Sequence, residues 1–265
     1  MTPMMMLQLA VNSHSQGDYA GARAHCERAL ALSQVSEGLA SDLLDVLGSA
    51  QRDAGELESA RISYGRALEI RRRLFGYESV QVATTLSNLG VLFQRAGKHA
   101  EAIDLLSAAI NLLHEKFGEH HPELGRAGVN LAVSHAAAGN FERARTLFQL
   151  AIKTLRASSG ENHPDVGRAI DGLATVCMLT GNLSEARELF THAVGILSTA
   201  LGPEHPQTTT SQTKLNQVAS AERQVECSGN DKISPPTAPT HKHCPCGSGK
   251  PFPECHGSGS LGDDA

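Results

Sequence analysis

One fourteen-residue stretch decides the fold: GNFERARTLFQLAI, residues 139–152. It begins with a glycine and then places Ala144, Phe148 and Ala151 at steps of four and three residues. Those steps put the three side chains on one stripe of an α-helix. The two alanines allow a second helix to approach closely, and the phenylalanine fills the space beside them. The stretch therefore predicts a helix that follows a glycine turn and buries one face against a neighbour.

The same pattern recurs along the chain at a constant spacing. Equivalent segments begin at Gly55, Gly97 and Gly181, which stand with Gly139 at steps of 42 residues, and a further segment begins at Gly17 after a shorter step. Another apolar helical pattern precedes each of these glycines; before Gly97 it reads TTLSNLGVLFQRA. The unit is a helix, a glycine turn and a second helix. Such hairpins bury their apolar faces only by stacking on one another.

This organisation resembles a tetratricopeptide repeat array, and the step of 42 residues resembles the kinesin-light-chain-type variant. The resemblance covers about residues 4–223 and is carried by two kinds of motif: NLG at 88–90 and NLA at 130–132 in first helices, and His-Pro pairs at 121–122, 163–164 and 205–206 in the turns between repeats. We expect those histidines to serve the turns and not chemistry. Repeat two departs from the pattern with Glu78-Ser79, and repeat five with Gly172 in place of asparagine.

The resemblance implies an all-α fold, a right-handed superhelical solenoid of helical hairpins. We expect about five repeats over residues 1–224, the last covered by a capping helix at 207–224. Cys26 and Cys177 replace apolar residues of the sister repeats, so both are predicted to be core residues.

In the tetratricopeptide family the first helices line the inner surface and bind extended peptides, so the resemblance implies such a groove here. Positions beside the buried stripe of each first helix are predicted to face it; they include Asp42, Asp45, Ser87, Asn88, Arg95, Arg126, Asn130, Arg168 and Asp171. Asn88 and Asn130 are the leading candidates, because a carboxamide both donates and accepts and can hold a peptide backbone. Arg126 and Arg168 could bind carboxylates in a bidentate manner. The alternative is structural, with the amides bonded between helices and the charges forming a solvated face.

The C-terminal part of the chain has a different composition. Residues 225–242 are rich in proline, serine and threonine and predict a flexible linker. HCPCGSGKPFPECHG follows at residues 243–257, and residues 258–265 predict a disordered tail.

This cysteine-rich stretch can be interpreted as one of three kinds of site: a disulfide, a phosphate loop or a metal site. A disulfide within the C-x-C pair would close a strained ring and leave Cys255 and His256 without a role. A phosphate loop needs a longer glycine spacing and a Ser or Thr after the lysine, whereas Pro251 follows Lys250. A metal site uses three thiolates and one imidazole, which suit a closed tetrahedral Zn²⁺ site.

The stretch also resembles the SEC-C motif, C-x-C-x8-C-H, which stands at the carboxyl terminus of the translocase motor SecA. The resemblance implies Zn²⁺ bound by Cys244, Cys246, Cys255 and His256. Four protein ligands leave no open position for water, so the metal is predicted to be structural and not catalytic. In SecA the module helps to engage a secretion chaperone and the ribosome, which implies a contact surface for a second partner here.

Composition and charge argue against several classes of function and location. The 265 residues carry a net charge of −5, which gives no basic footprint for nucleic acid. No apolar run approaches the roughly 20 residues of a membrane span. The start lacks a basic n-region and is interpreted as the first helix and not a signal peptide. The uneven placement of the six cysteines favours a reducing cytoplasm.

No nucleophile–base pair, cofactor loop or convergent carboxylates stand out in the sequence, so catalysis is not predicted. The chain is predicted to be a non-enzymatic protein-protein interaction adaptor, with one partner in the groove and another on the zinc module. The alternative is a ribosome- or protein-secretion-associated accessory or chaperone factor that its SEC-C tail targets.

Overall fold

The computed structural model describes residues 1–119 and 121–230, and this part of the chain is helical throughout, with no strand. Eleven helices follow one another there: α1 (Pro3–Ser15), α2 (Tyr19–Leu30), α3 (Glu37–Asp53), α4 (Leu57–Phe75), α5 (Val80–Arg95), α6 (His99–Phe117), α7 (Pro122–Ala137), α8 (Phe141–Ser159), α9 (Pro164–Leu179), α10 (Leu183–Leu201) and α11 (Pro206–Asn230). The chain divides into two compact units, Met1–Ser220 and Ala221–Ala265, and the five hairpins α1–α2 to α9–α10 lie in the first.

The hairpins stack in chain order. Each helix from α1 to α9 packs against the next, and each first helix from α1 to α7 also contacts the first helix that follows it. In the described residues the backbones of no two second helices approach as closely, although the side chain of Arg145 on α8 donates to Glu185 on α10 at 2.6 Å. The first helices therefore form the crowded side of the stack. This arrangement confirms the predicted all-α repeat solenoid.

The recurring glycines end the first helices. Gly97 has φ of +74°, a conformation that glycine adopts without steric cost. This turn lets the backbone N–H of Lys98 donate to the carbonyl of Phe93 at 2.9 Å, which satisfies a carbonyl at the end of α5. The equivalent glycines of the other repeats also have positive φ, so the period of 42 residues marks the helix ends.

The His-Pro pairs begin first helices. His121 is the N-cap of α7, and its Nδ1 accepts a hydrogen bond from the backbone N–H of Glu123 at 3.2 Å. His163 and His205 make the same bond at the starts of α9 and α11. In the departing repeat two, the Oγ of Ser79 accepts from Val82 N at 3.3 Å and replaces the imidazole. The role of these residues is to cap helices at the turns, as the sequence predicts.

The large residue of each second helix determines which first-helix positions must be glycine. In repeat three Leu106 lies over Gly90, where an added Cβ would stand 2.6 Å from the leucine Cγ. Repeat four has Ala132 in place of that glycine, and Phe148 packs against Gly172 of the next repeat. A Cβ at Gly172 would stand 2.4 Å from the phenylalanine Cε1. The asparagine of the sister repeats is therefore excluded from position 172.

The ends of the stack follow the same packing rules. Cys26 and Cys177 are fully buried, as predicted, and burial raises the pKa of the Cys26 thiol to about 12. Val218 of α11 is fully buried in a cluster built mainly from α9 and α10. Helix α11 continues to Asn230 and so includes the first residues of the segment 225–242 predicted as a linker. The rest of that segment, the predicted zinc module and the tail lie outside the described residues.

None of the helices in the described residues combines the length and the apolarity that a bilayer crossing requires.

Candidate functional site on the first helices

A buried arginine joins repeats two and three. Arg71 of α4 is 6% exposed, although its repeat equivalents are buried leucines (Leu113, Leu155 and Leu197). Its guanidinium donates to Thr85 Oγ1 at 2.6 Å, to the carbonyl of Gln81 at 3.2 Å and to Asp42 Oδ1 at 2.9 Å. Asp45 Oδ1 lies 3.3 Å away. A charge this deeply buried is tolerated only when it is paired, so α3, α4 and α5 are tied together here.

One of the two leading groove asparagines takes part in the same junction. The Nδ2 of Asn88 donates to Asp45 Oδ2 at 3.0 Å, which links α5 to α3. The two residues are 43 positions apart. The same offset joins Asp171 of α9 to Lys214 of α11, whose Nζ lies 2.6 Å from the carboxylate. An acid on one first helix thus holds a donor on the next.

The other asparagine has no such partner. Asn130 is the repeat equivalent of Asn88, and Ser87 stands where the acid Asp45 stands one repeat earlier. Within the described residues the Asn130 side chain makes no hydrogen bond. It is half-buried on the side of the stack that the first helices α1, α3, α5, α7 and α9 form, which we call the first-helix face. The carboxamide keeps both its donors and its acceptor available at the junction of α5 and α7.

Arg95 is bound to the end of α3. Its guanidinium lies 3.1 Å from Asp53 Oδ1, and the Nε2 of His14 in α1 lies 2.9 Å from the other carboxylate oxygen. Arg52 donates to both oxygens. Burial acts to raise the pKa of Asp53, but the hydrogen bonds from His14 and Arg52 and the charges of Arg52 and Arg95 outweigh it and hold that pKa well below the usual range.

The two other arginines converge on one carboxylate. Arg126 of α7 pairs with Glu123 on its own helix and reaches Asp165 Oδ2 of α9 at 3.1 Å. Arg168 pairs with the other oxygen of Asp165, whose side chain is 5% exposed. Asp171 accepts from the hydroxyl of Ser211 at 2.6 Å as well as from Lys214. These side chains link successive repeats.

The six predicted groove residues thus fall into two groups. Five are engaged in polar contacts between or within repeats: Asn88, Arg95, Arg126, Arg168 and Asp171. Asn130 alone of the six is unbonded within the described residues. The predicted zinc ligands Cys244, Cys246, Cys255 and His256 lie outside those residues.

The repeat pattern matches the family profile of the tetratricopeptide repeat over residues 2–73, 39–115, 81–157 and 123–199. The chain belongs to the tetratricopeptide repeat family. These overlapping matches span most of the hairpin stack, from α1 into α10. No match was found among curated proteins.

Solved structures show the same fold. BtubC (BKLC) from P. vanneervenii is 22% identical with a TM-score of 0.59, over 75% of this chain and 80% of that chain. A putative kinesin light chain repeat protein of Podospora anserina is 19% identical with a TM-score of 0.58, over 74% of this chain and 94% of that chain.

A larger protein carries a similar array. A signal transduction ATPase with numerous domains and a tetratricopeptide repeat sensor, from Pyrococcus horikoshii, is 15% identical with a TM-score of 0.62, over 86% of this chain and 36% of that chain. At these identities the likeness concerns the fold of the tetratricopeptide array, with kinesin-light-chain-like neighbours among its relatives.

Proposed function

We propose that this chain is a non-enzymatic, cytoplasmic adaptor that binds a protein or peptide partner on its first helices, with the contact centred on the α5–α7 junction. The observation that carries the proposal is the unbonded carboxamide of Asn130. Tetratricopeptide arrays are built for protein contacts, because stacking repeats creates an extended surface that no single hairpin has.

Asn130 suits a backbone contact better than the charged candidates do. Arg126, Arg168 and Asp171 would have to leave their present ion pairs before they met a ligand. For the two arginines this would leave the buried Asp165 carboxylate without a cation, which is costly. Asn130 has no internal bond to lose within the described residues. An extended peptide could therefore pair its N–H and C=O groups with this side chain at little cost in internal contacts.

Affinity capture with paired asparagine variants tests this function. Asn130→Ala should lose the captured partner and keep the unfolding midpoint of the native protein. Asn88→Ala is the matched control: it should keep the partner but lower the midpoint, because Asp45 loses a donor. Equal capture by the Asn130 variant and the native protein would remove the first-helix contact from the proposal.

The second half of the proposal concerns residues 243–257. We propose that Cys244, Cys246, Cys255 and His256 bind one structural Zn²⁺ and that the folded module docks a second partner. The support is the match to C-x-C-x8-C-H, with three soft thiolates and an imidazole of the kind zinc prefers. The connecting segment would raise the effective concentration of one partner near the other.

Metal analysis of the purified full-length protein tests the zinc site. We expect one zinc per chain, lost in Cys255→Ser and in a chain that ends at residue 240. Cys227→Ser is the matched control, because Cys227 lies outside the motif, and it should retain the metal. Zinc that persists in the Cys255 variant would contradict the ligand set.

The resemblance to the SecA module favours one specific alternative, a ribosome- or secretion-associated accessory factor that the tail targets. Deletion of residues 240–265 should then abolish co-sedimentation with ribosomes or with a secretion chaperone. If the full-length protein does not co-sediment, the adaptor function on the first helices is unaffected.

A further inference from the structure

A second candidate site lies away from the first-helix face. An open cavity of about 340 Å³ lies between the second helices α6 and α8, with α7 beneath it. Its walls are mainly aliphatic and include Ile110, Leu124, Leu131, Leu147 and Leu150. Leu150 is 59% exposed. A volume near 300 Å³ is at the lower end of the range for ligand pockets, so the cavity suits one large side chain or a small ligand.

A single residue in the sequence accounts for the space. Gly128 of α7 lines the cavity, whereas its repeat equivalents carry large aliphatic side chains that are at most 7% exposed: Leu44, Leu86 and Ile170. In those repeats the side chain fills the gap between the second helices and the first helix. In repeat four a Cβ at Gly128 would meet only Ala151, at 3.3 Å from its Cβ. The cavity is therefore the volume of a missing leucine and its surroundings.

The rim of the cavity is predominantly basic. Arg143 and Lys153 of α8 and His114 of α6 line it, against one acid, Glu119. Arg143 and Lys153 are exposed, and neither forms an ion pair within the described residues. Most arginines of the first-helix face, by contrast, are paired. Two free cations beside an apolar pocket favour an apolar group with carboxylates near it.

The distance between the two cations indicates how far apart two carboxylates of a ligand should be. Arg143 and Lys153 are ten residues apart on α8, or about 15 Å along the axis at a rise of about 1.5 Å per residue. In an extended peptide, residues four positions apart are separated by about 13 Å. Two acidic residues at that separation, with a large apolar residue midway between them, would match both cations and the pocket.

We propose that this cavity binds an extended partner segment of the form acidic–x–leucine–x–acidic, with the leucine in the space above Gly128. This inference rests on the proposed adaptor function only in that the ligand is a peptide. The site is on the second helices and is separate from Asn130. A partner could therefore be held at two places, by its backbone on one side of the stack and by an apolar anchor on the other.

Methyl NMR with a blocked pentapeptide, acetyl-Glu-Ser-Leu-Ser-Glu-amide, tests the site directly on the full chain. The leucine and isoleucine methyl groups of the wall should shift, among them those of Ile110 and Leu147. A peptide with lysine in place of both glutamates should bind about tenfold more weakly, and less so at high salt. A peptide with alanine in place of leucine should also lose about tenfold or more.

Variants of the protein locate the binding. Gly128→Leu fills the cavity as in the sister repeats and should abolish the shifts. Leu150→Gln and Lys153→Gln change exposed side chains, keep the fold and should each weaken binding several-fold. Arg66→Gln removes an exposed cation of α4 outside the cavity and should leave binding unchanged.

Several outcomes would overturn the inference. They are equal binding of the glutamate and lysine peptides, full binding to Gly128→Leu, or wall shifts with decanoate but not with the pentapeptide. The last result would indicate a pocket for small amphiphilic acids. Asn130→Ala should leave the pentapeptide shifts intact, so failure here and failure of the first-helix contact can be told apart.

Discussion

Helices α5 and α7 occupy equivalent positions in successive repeats, but the side chains of α5 find partners inside the stack and two equivalent positions of α7 do not. On α5, Asn88 is bonded to Asp45, and Leu86 is 7% exposed in the core. On α7, the equivalent Asn130 has no partner within the described residues, and Gly128 leaves a cavity. The repeat thus fixes where a side chain points, while residues one repeat away decide whether it is used internally. A binding surface forms where those internal partners are missing.

The largest expected effect is on the α5 side. Arg71→Ala removes the buried cation that Asp42, Asp45 and Thr85 share, and leaves two carboxylates without it. We expect the free energy of unfolding to fall by about 3–5 kcal/mol, because removal of one partner leaves the other charge buried and uncompensated. Urea unfolding followed by circular dichroism measures it, with the transition midpoint as the readout, since repeat arrays can unfold in parts.

Arg73→Ala is the control for this comparison. Arg73 also pairs with an acid, Glu37 at 2.6 Å, but its side chain is 63% exposed. An exposed pair of this kind contributes about 0–1 kcal/mol. Equal losses in the two variants would mean that burial of Arg71 does not matter and that α5 is not held as described.

The hairpins themselves are predictable from the sequence. Glycines at steps of 42 residues and alanines at helical spacing specify which faces meet, and the structure has helices at those places. The two asparagines show where such prediction ends. NLG and NLA give the same expectation for Asn88 and Asn130, because a motif does not contain its partner. The position that decides it lies 43 residues earlier on another helix: Asp45 stands there for Asn88 and bonds it, whereas Ser87 stands there for Asn130 and does not.

The cavity had a sequence signal of the same kind. Alignment of the first helices places Gly128 in a column of Leu44, Leu86 and Ile170, and a glycine in a column of large aliphatic residues indicates missing volume. Whether the neighbours close over that volume depends on how far α6 and α8 can move, which the sequence does not specify. Phe148 likewise packs against Gly172 of the next repeat, whereas Leu106 packs against Gly90 of its own repeat. The residue type at either position does not indicate which first helix the large side chain contacts.

An intermediate effect is expected when α7 is given the partner it lacks. Ser87→Asp restores the acid that stands 43 residues before each bonded donor. The new carboxylate should accept a hydrogen bond from Asn130 and raise the free energy of unfolding by about 1 kcal/mol. The same change should weaken capture of the partner, because the carboxamide is then occupied.

A double-mutant cycle separates this bond from other effects of the added charge. Ser87→Asp in the background of Asn130→Ala should give no gain in the unfolding midpoint. If the gain persists without the amide, the acid acts on another group, and the comparison of α5 with α7 loses its basis.

The smallest effect concerns a histidine on α7 whose equivalent on α5 is Phe93. The Nδ1 of His135 is buried and has no hydrogen-bond partner within the described residues. Burial and the charge of Arg143 lower the pKa of His135. As the pH falls, the imidazole of the unfolded chain therefore takes up a proton before that of the folded chain does. The free energy of unfolding decreases as the pH falls below about 6.5.

His135→Phe makes α7 match α5 at this position and should remove that loss. The measurement is the change in unfolding midpoint between about pH 8 and about pH 5.5, which should be smaller in the variant than in the native protein. Arg143→Gln should reduce it only in part, because burial is the larger cause of the lowered pKa. Since Arg143 also lines the cavity, an acidic ligand there should have the same partial effect and raise the pKa of His135.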